Sequence, residues 1–193
     1  MGLFDVLTGR RKLAQPAPDR LFAMTTAYVA MQTAQQVRSR GQAAIVFQSL
    51  ATADFQSIVR DMTEVVRATA ADSGTTVQTS EDTYGFSWMV LGDADFDDLV
   101  VGINAVSTAL IEGGYGERVL CAVFAFVDER DRPLYWIYNY KRGSFYPFAP
   151  ETQSPATQKR NNERELVARA QMANELPIEP ELSRWFALWG IPI

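Results

Sequence analysis

The stretch from Arg118 to Pro150 constrains the fold most, because it joins two long apolar segments through a short charged turn. Residues Val119–Val127 and Leu134–Tyr140 are rich in β-branched and aromatic side chains, which predicts two paired core strands. Large apolar side chains fall at alternating positions on both faces of these strands, so both faces need cover. We expect helices on one face, and on the other a second subunit or the tail residues Trp185, Phe186 and Trp189.

Helices and further strands are predicted on the N-terminal side of this pair. A short helix capped by Thr25 or Thr26 is expected to end at the polar residues 37–41, and a first core strand follows at 43–49. Apolar residues then recur at helical spacing from Phe55 to Val66, which predicts a helix ending near Ser73-Gly74.

The middle of the chain predicts a hairpin and a second long helix. Residues 75–79 are polar and indicate an edge strand, and residues 84–90 alternate in size as the strand that pairs with it. Helical spacing of apolar residues from Phe96 to Ile111 predicts a helix that Gly113-Gly114 ends. A charged helix over about 159–174 and a Pro-bounded tail complete the chain.

The order β-α-β-β-α-β-β predicts an α+β fold, with an antiparallel sheet of about five strands and helices mainly on one face. A ferredoxin-like core with an added strand fits this order best. A type III secretion chaperone-like arrangement is the alternative, and it would predict a dimer. We expect a single domain over residues 21–193 with a C-terminal helical tail, preceded by a separate segment, residues 1–20.

Composition excludes several classes of function. The 193 residues contain no histidine, which removes the usual general base, triad partner and metal ligand together. The single cysteine, Cys121, allows no intrachain disulfide, which fits a reducing cytoplasm. A net charge of -5 argues against nucleic acid as a partner, and no apolar run approaches the roughly 20 residues of a transmembrane helix.

The first twelve residues form a short amphipathic pattern with a basic end. Four apolar residues of this segment share one arc of a helix, and the linker from Leu13 to Arg20 contains two prolines. Two interpretations stay open: contact with an anionic membrane surface or a partner helix, or a terminal segment that docks on its own domain or is frayed. The candidate membrane-contacting residues are Leu3, Phe4, Leu7, Arg10, Arg11 and Lys12.

The acidic and glycine-rich segments do not predict a metal or cofactor site. Asp93, Asp95 and Asp97 match the start of a calcium loop, but the required glycine and final glutamate are Asp98 and Asn104 here. Carboxylates at a helix N-terminus explain the cluster better. Residues 113–116 follow a helix and precede a strand, so they are typical of a helix stop rather than a phosphate loop. We therefore expect no metal, no cofactor and no catalytic residue.

A basic break at Lys141-Arg142-Gly143-Ser144 interrupts the aromatic run. Cations among aromatic side chains can bind an acidic peptide or another anionic ligand, whereas the simpler interpretation is a β-turn with its charges in water. If the tail tryptophans lie against residues 145–148, the aromatics are structural; if the aromatics are open, they form a site. The candidate partner-binding residues are Lys141, Arg142, Tyr146, Arg184, Trp185 and Trp189.

Three strings, YGFSWMV (84–90), YKRGSFYPFAP (140–150) and ELSRWFALWG (181–190), together with the opening MGLFDVLTGRRK, resemble the actinobacterial PspA-associated protein PspAB family. The resemblance covers nearly the full length. It implies association with PspA, the phage-shock protein of envelope-stress responses, or with another component of that response, and it supplies no catalytic residues.

The resemblance favours a non-enzymatic adaptor that binds a PspA-type protein, in the cytoplasm or at the inner face of the membrane. The alternative is a chaperone-like homodimer that holds a peptide or client protein on its aromatic sheet face. A third hypothesis, a small ligand at the Lys141-Arg142 turn, would need a pocket with convergent polar groups there.

Overall fold

A computed structural model describes residues 18–35, 37–151 and 157–193. Within them, six antiparallel strands form one sheet in the order β2-β3-β1-β4-β5-β6. The strands are β1 (Arg38–Gln48), β2 (Thr76–Glu81), β3 (Phe86–Gly92), β4 (Val119–Val127), β5 (Pro133–Asn139) and β6 (Ser144–Phe148). The helices are α1 (Ala23–Gln35), α2 (Ala53–Ser73), α3 (Phe96–Leu110) and α4 (Asn162–Met172).

The topology of the first four strands is a pair of split β-α-β units. The chain runs β1-α2-β2 with β3 between the two strands, and then β3-α3-β4 with β1 between them. This arrangement is the ferredoxin-like core. The predicted α+β class is confirmed, and β5 and β6 extend the core beyond β4 as a hairpin.

Two details differ from the prediction. The sheet has six strands rather than about five, because residues 144–148 pair with β5 from Tyr135↔Phe148 to Asn139↔Ser144. The polar residues 38–41, expected to end a helix, begin β1 instead, where Arg38 pairs with Val127. A register shift between Ser39 and Ala43 accommodates Gly41, whose φ of 68° lies in the left-handed region that favours glycine.

Helices α1, α2 and α3 cover one face of the sheet, here called the inner face. Six apolar residues of α3 are buried against it at the spacing that the sequence predicted, and Phe124 and Phe126 of β4 meet Phe96 of α3 at centroid distances of 5.8 and 5.4 Å. The buried α3 residues are Phe96, Leu99, Val100, Ile103, Val106 and Leu110. Periodic apolar side chains on both layers therefore form the main core.

The acidic cluster at the start of α3 caps the helix. The side chain of Asp93 accepts from the N–H of Asp95 at 2.8 Å, and that of Asp95 accepts from the N–H of Asp97 at 2.9 Å. These bonds satisfy backbone donors that have no partner inside the helix. At the other end Gly114 adopts φ 84°, which ends the helical run at the predicted position.

Candidate functional site

The predicted partner-binding residues lie where the β5–β6 turn meets the C-terminal tail, defined here as residues 177–193. The turn is closed by Asn139, whose carbonyl accepts from the N–H groups of Arg142 at 3.1 Å and Gly143 at 2.8 Å. The Asn139 side chain accepts from the N–H of Lys141 at 3.1 Å, and Gly143 has φ 62°. The tight turn leaves the side chains of Lys141 and Arg142 exposed while the strands on either side are buried.

The aromatic side chains of β5 and β6 divide between the two faces of the sheet. Tyr138 and Phe145 belong to the inner core, with a centroid distance of 4.7 Å. Tyr135, Tyr146 and Phe148 belong to a second cluster on the opposite, outer face. Strand alternation thus sends one aromatic set towards the helices and the other towards the tail.

The tail covers the outer aromatic set. The ring of Trp185 stacks on Tyr146 at 6.4 Å and 22°, and that of Trp189 meets Phe148 edge-on at 5.1 Å and 82°. The hydroxyl of buried Tyr135 donates to the carbonyl of Ile193 at 2.9 Å. The tail tryptophans lie against residues 146–148, so these aromatics are part of the core.

This packing separates the six predicted partner-binding residues into three groups. Tyr146 and Trp185 are only 3% and 5% exposed, and burial raises the pKa of the Tyr146 phenol, which stays neutral. Trp189 and Arg184 are half-buried, whereas Lys141 and Arg142 are exposed. In this arrangement the cations are accessible to a partner and the two buried rings are not. That these six residues bind a partner stays a prediction.

A buried carboxylate links the basic turn to the tail. Glu179, whose side chain is 4% exposed, lies 3.7 Å from Nε of Arg142 and 3.4 Å from Nη1 of Arg184. It also accepts from the Ser144 hydroxyl at 3.3 Å and from the N–H of Glu181 at 3.2 Å. The carboxylate occupies the position between the two guanidinium groups that an anionic small ligand would need, which argues against such a ligand there.

A second buried ion pair anchors the tail from the side of α4. Arg160 forks onto Glu165 at 2.7–3.0 Å, and its Nη1 donates to the carbonyl of Trp185 at 2.7 Å. Glu165, 2% exposed, also accepts from the N–H of Ala149 at the end of β6. One carboxylate thereby ties the helix, the strand and, through Arg160, the tail.

Sequence reasoning missed Glu165 and Glu179. Neither glutamate belongs to an apolar period, and a charged residue in a charged helix or a Pro-bounded segment is normally solvated. The only available signal was that a tail able to bury Trp185 must also satisfy its indole N–H, which donates to the carbonyl of Glu179 at 3.0 Å.

The exposed surface around the turn combines cations with large apolar side chains. Leu182 and Phe186, which flank Arg184, are 50% and 61% exposed. Arg20, in a short 3-10 helix over Pro18–Phe22, donates to the carbonyl of Gly143 at 3.4 Å. We call Lys141, Arg142, Leu182, Arg184 and Phe186 the turn–tail surface.

The predicted membrane-contacting residues lie outside the described part of the chain: Leu3, Phe4, Leu7, Arg10, Arg11 and Lys12. Among the residues that the structure does describe, no helix has both the length and the apolar character needed to cross a membrane.

Comparison with known protein families gives a match over the full length of the chain. The family model described as PspA associated protein B, PspAB, matches residues 1–193, the whole chain. No curated protein and no solved structure matches it. Within the fold, segments 140–150 and 181–190, which resemble this family, pack on each other through Trp185 and Tyr146. Because the match spans the full length, the chain belongs to the PspAB family of PspA-associated proteins.

Proposed function

We propose that this protein is a non-enzymatic adaptor of the PspA-type envelope-stress response, and that it binds its protein partner through the turn–tail surface. The observation that carries the general assignment is the full-length family match, which links the chain to PspA by name. The assignment to this surface rests on its composition, since aromatic and arginine side chains dominate protein interfaces.

Electrostatics favours an acidic segment as the part of the partner that binds. The turn–tail surface carries three cations, Lys141, Arg142 and Arg184. The buried carboxylate of Glu179, which lies between the two arginines, offsets one of these charges. Arg20 adds a fourth cation at Gly143. A helix with glutamates beside an apolar stripe would match both the charges and the exposed Phe186.

The basic amphipathic pattern of the first twelve residues supports a second contact, with the inner face of the membrane. The short 3-10 helix Pro18–Phe22 lies beside the basic turn, where Arg20 donates to the carbonyl of Gly143. Each cation near an anionic surface contributes about 1 kcal/mol. A single short segment would bind weakly, so partner and membrane would act together.

Binding to the PspA-type protein of the same cell tests the partner surface. The double variant Lys141→Glu/Phe186→Ser should weaken binding at least tenfold in a titration, because it reverses one charge and removes the exposed aromatic ring of this surface. The matched control Arg130→Glu/Val101→Ser changes an exposed cation in the β4–β5 turn, at the other end of β5, and an exposed apolar residue on α3. Unchanged binding by the first variant, or equal loss in both, would contradict the assignment to this surface.

Co-sedimentation with vesicles of phosphatidylglycerol and phosphatidylethanolamine tests the membrane contact. The full chain should pellet with anionic vesicles, and a chain starting at residue 13 should stay in the supernatant. Pelleting should fall as salt rises, since the basic residues act through screened charge. Equal, negligible pelleting of both chains would remove the membrane part and leave partner binding unaffected.

The alternative, a chaperone-like homodimer that holds a client on its aromatic sheet face, gains less support. Its binding surface would be the outer face of β5 and β6, and the tail occupies that face through Trp185 and Trp189. A client would first have to displace the tail.

A further inference from the structure

The two edges of the sheet differ in how their backbone groups are satisfied. At the β6 edge, Phe145 donates to the carbonyl of Pro177 and accepts from the N–H of Glu179, both at 2.8 Å. Ala149 accepts from the N–H of Asn161 at 2.8 Å and donates to Glu165 at 2.9 Å. Between them stands Pro147, which has no N–H. The β6 edge is therefore closed to a further strand.

Strand β2 forms the opposite edge and, in the described part of the chain, pairs with β3 alone. The N–H of Asp82 donates to the carbonyl of Phe86 at 2.9 Å. Asp82 and every second residue before it therefore direct their backbone N–H and C=O groups towards β3. On the other side of β3, the N–H of Asp93 donates to the carbonyl of Gly41. Odd-numbered residues of β3 thus face β1 and even-numbered ones face β2, which agrees with the Asp82–Phe86 bond. Since bonded and outward positions alternate, Val77, Thr79 and Glu81 direct their N–H and C=O groups away from the sheet.

We propose that this edge is the interface between two copies of the chain, with the two β2 strands antiparallel about a two-fold axis at Thr79. This register places Thr79 opposite Thr79 of the second copy and Val77 opposite its Glu81. All three outward residues of each strand then exchange hydrogen bonds, and no like charges face each other. The strand is thus complementary to itself, as a two-fold interface requires.

An exposed aromatic side chain at the same edge supports a second copy as the occupant. Tyr84, in the β2–β3 turn, is 70% exposed, the highest value among the large apolar side chains of the described residues. In the proposed register it extends past the end of β2 to the level of Gly74 of the second copy. There its ring would cover the entry to the partner strand, adding apolar contact to the backbone bonds.

The contrast between the edges also limits the assembly to two chains. Each chain offers one open edge and one closed edge, so pairing of β2 with β2 consumes every open edge. The result is a continuous twelve-stranded sheet that ends in β6 on both sides. A single strand pair buries less area than a standard interface, so the dimer should form reversibly at high protein concentration.

Sedimentation equilibrium of the full chain over a wide concentration range tests the proposal. The mass should rise from 21.5 kDa towards twice that value. Thr79→Pro removes the central outward donor, which β3 does not use, so the variant should keep its circular dichroism spectrum and stay monomeric. Thr79→Val keeps the donor and the branched shape, and should dimerise like the wild type. A monomeric wild type, or a Thr79→Pro variant that dimerises like it, would overturn the proposal.

Disulfide trapping tests the register. Directly opposed residues have Cα atoms about 5.5 Å apart, within disulfide range, so Thr79→Cys should form a cross-linked dimer under mild oxidation. Ser80→Cys is the matched control, because in this register the two copies of residue 80 are more than about 8 Å apart. Both variants retain buried Cys121, which equalises any background. Equal cross-linking of both variants, or none of Thr79→Cys, would overturn the register and the interface.

Discussion

The inner face of the sheet lies under regular helices, whereas the outer face of β4–β6 lies under a tail whose regular structure is a single 3-10 turn, Leu182–Arg184. On the inner face, apolar residues of α3 meet Phe124 and Phe126 at helical spacing. On the outer face, Trp185 is held by two polar contacts: Arg160, which pairs with the buried Glu165, donates to its carbonyl, and its indole N–H donates to the backbone carbonyl of Glu179. Helical cover depends on apolar area, and irregular cover depends on satisfied polar groups as well.

The largest effect is expected on the inner face. Phe124→Ala removes a fully buried ring from the centre of the helix-covered core and should lower the free energy of unfolding by about 3–5 kcal/mol. Urea titrations followed by circular dichroism and by tryptophan fluorescence should shift together, because this core supports the whole domain. The exposed Val101→Ala on α3 should change stability by less than about 0.5 kcal/mol. Separate midpoints for the two probes would contradict a single cooperative core.

The next effect should be local to the outer face. Glu165→Ala leaves Arg160, whose side chain is 23% exposed, without its carboxylate and the N–H of Ala149 without an acceptor. Breaking such a pair should cost about 3 kcal/mol. Here tryptophan fluorescence should change at lower urea than circular dichroism, because Trp185 loses its anchor while the helices persist.

Glu163→Ala, on the exposed side of the same helix, should cost less than about 1 kcal/mol. If Glu165→Ala shifts both probes equally, the tail and the helical core form one unit, and the distinction between the two faces has no energetic basis.

The difference between helical cover on the inner face and irregular cover on the outer face also decides which elements the sequence could predict. Apolar periods located α2 and α3, and alternation located β3, β4 and β5, because each rule follows from one face of one element being buried. Strand β6 was not predicted because prolines and a basic turn normally indicate a loop. They are compatible with a strand here because other segments satisfy its outer edge. The candidate residues Tyr146 and Trp185 were chosen for their chemistry, but their burial depends on a contact between two rings that are far apart in the chain.

A smaller effect should follow from removing one tail hydrogen bond. Tyr135→Phe deletes the donor to the carbonyl of Ile193 and should cost about 1 kcal/mol. In the Glu165→Ala background the same change should cost much less, because the tail is already released, and a double-mutant cycle measures that coupling. Tyr84→Phe, at an exposed ring, provides the control without an effect. Strict additivity would show that Ile193 and Glu165 hold independent segments.

The smallest structural effect, and the most local probe of the outer face, concerns Cys121. This thiol belongs to the outer cluster with Trp185, and burial raises its pKa from 9.0 to about 12. At pH 8 the thiolate fraction is then about a thousandfold lower than for an exposed thiol, so iodoacetamide should label the native protein very slowly. Because the unfolded thiol ionises first, this group favours the folded state below pH 9 and loses that contribution as pH rises towards 12. Trp185→Ala should accelerate labelling well before any loss of helical circular dichroism, whereas Phe186→Ala, at an exposed neighbour, should not. Labelling that depends only on global unfolding would mean that the outer face opens no more readily than the inner one.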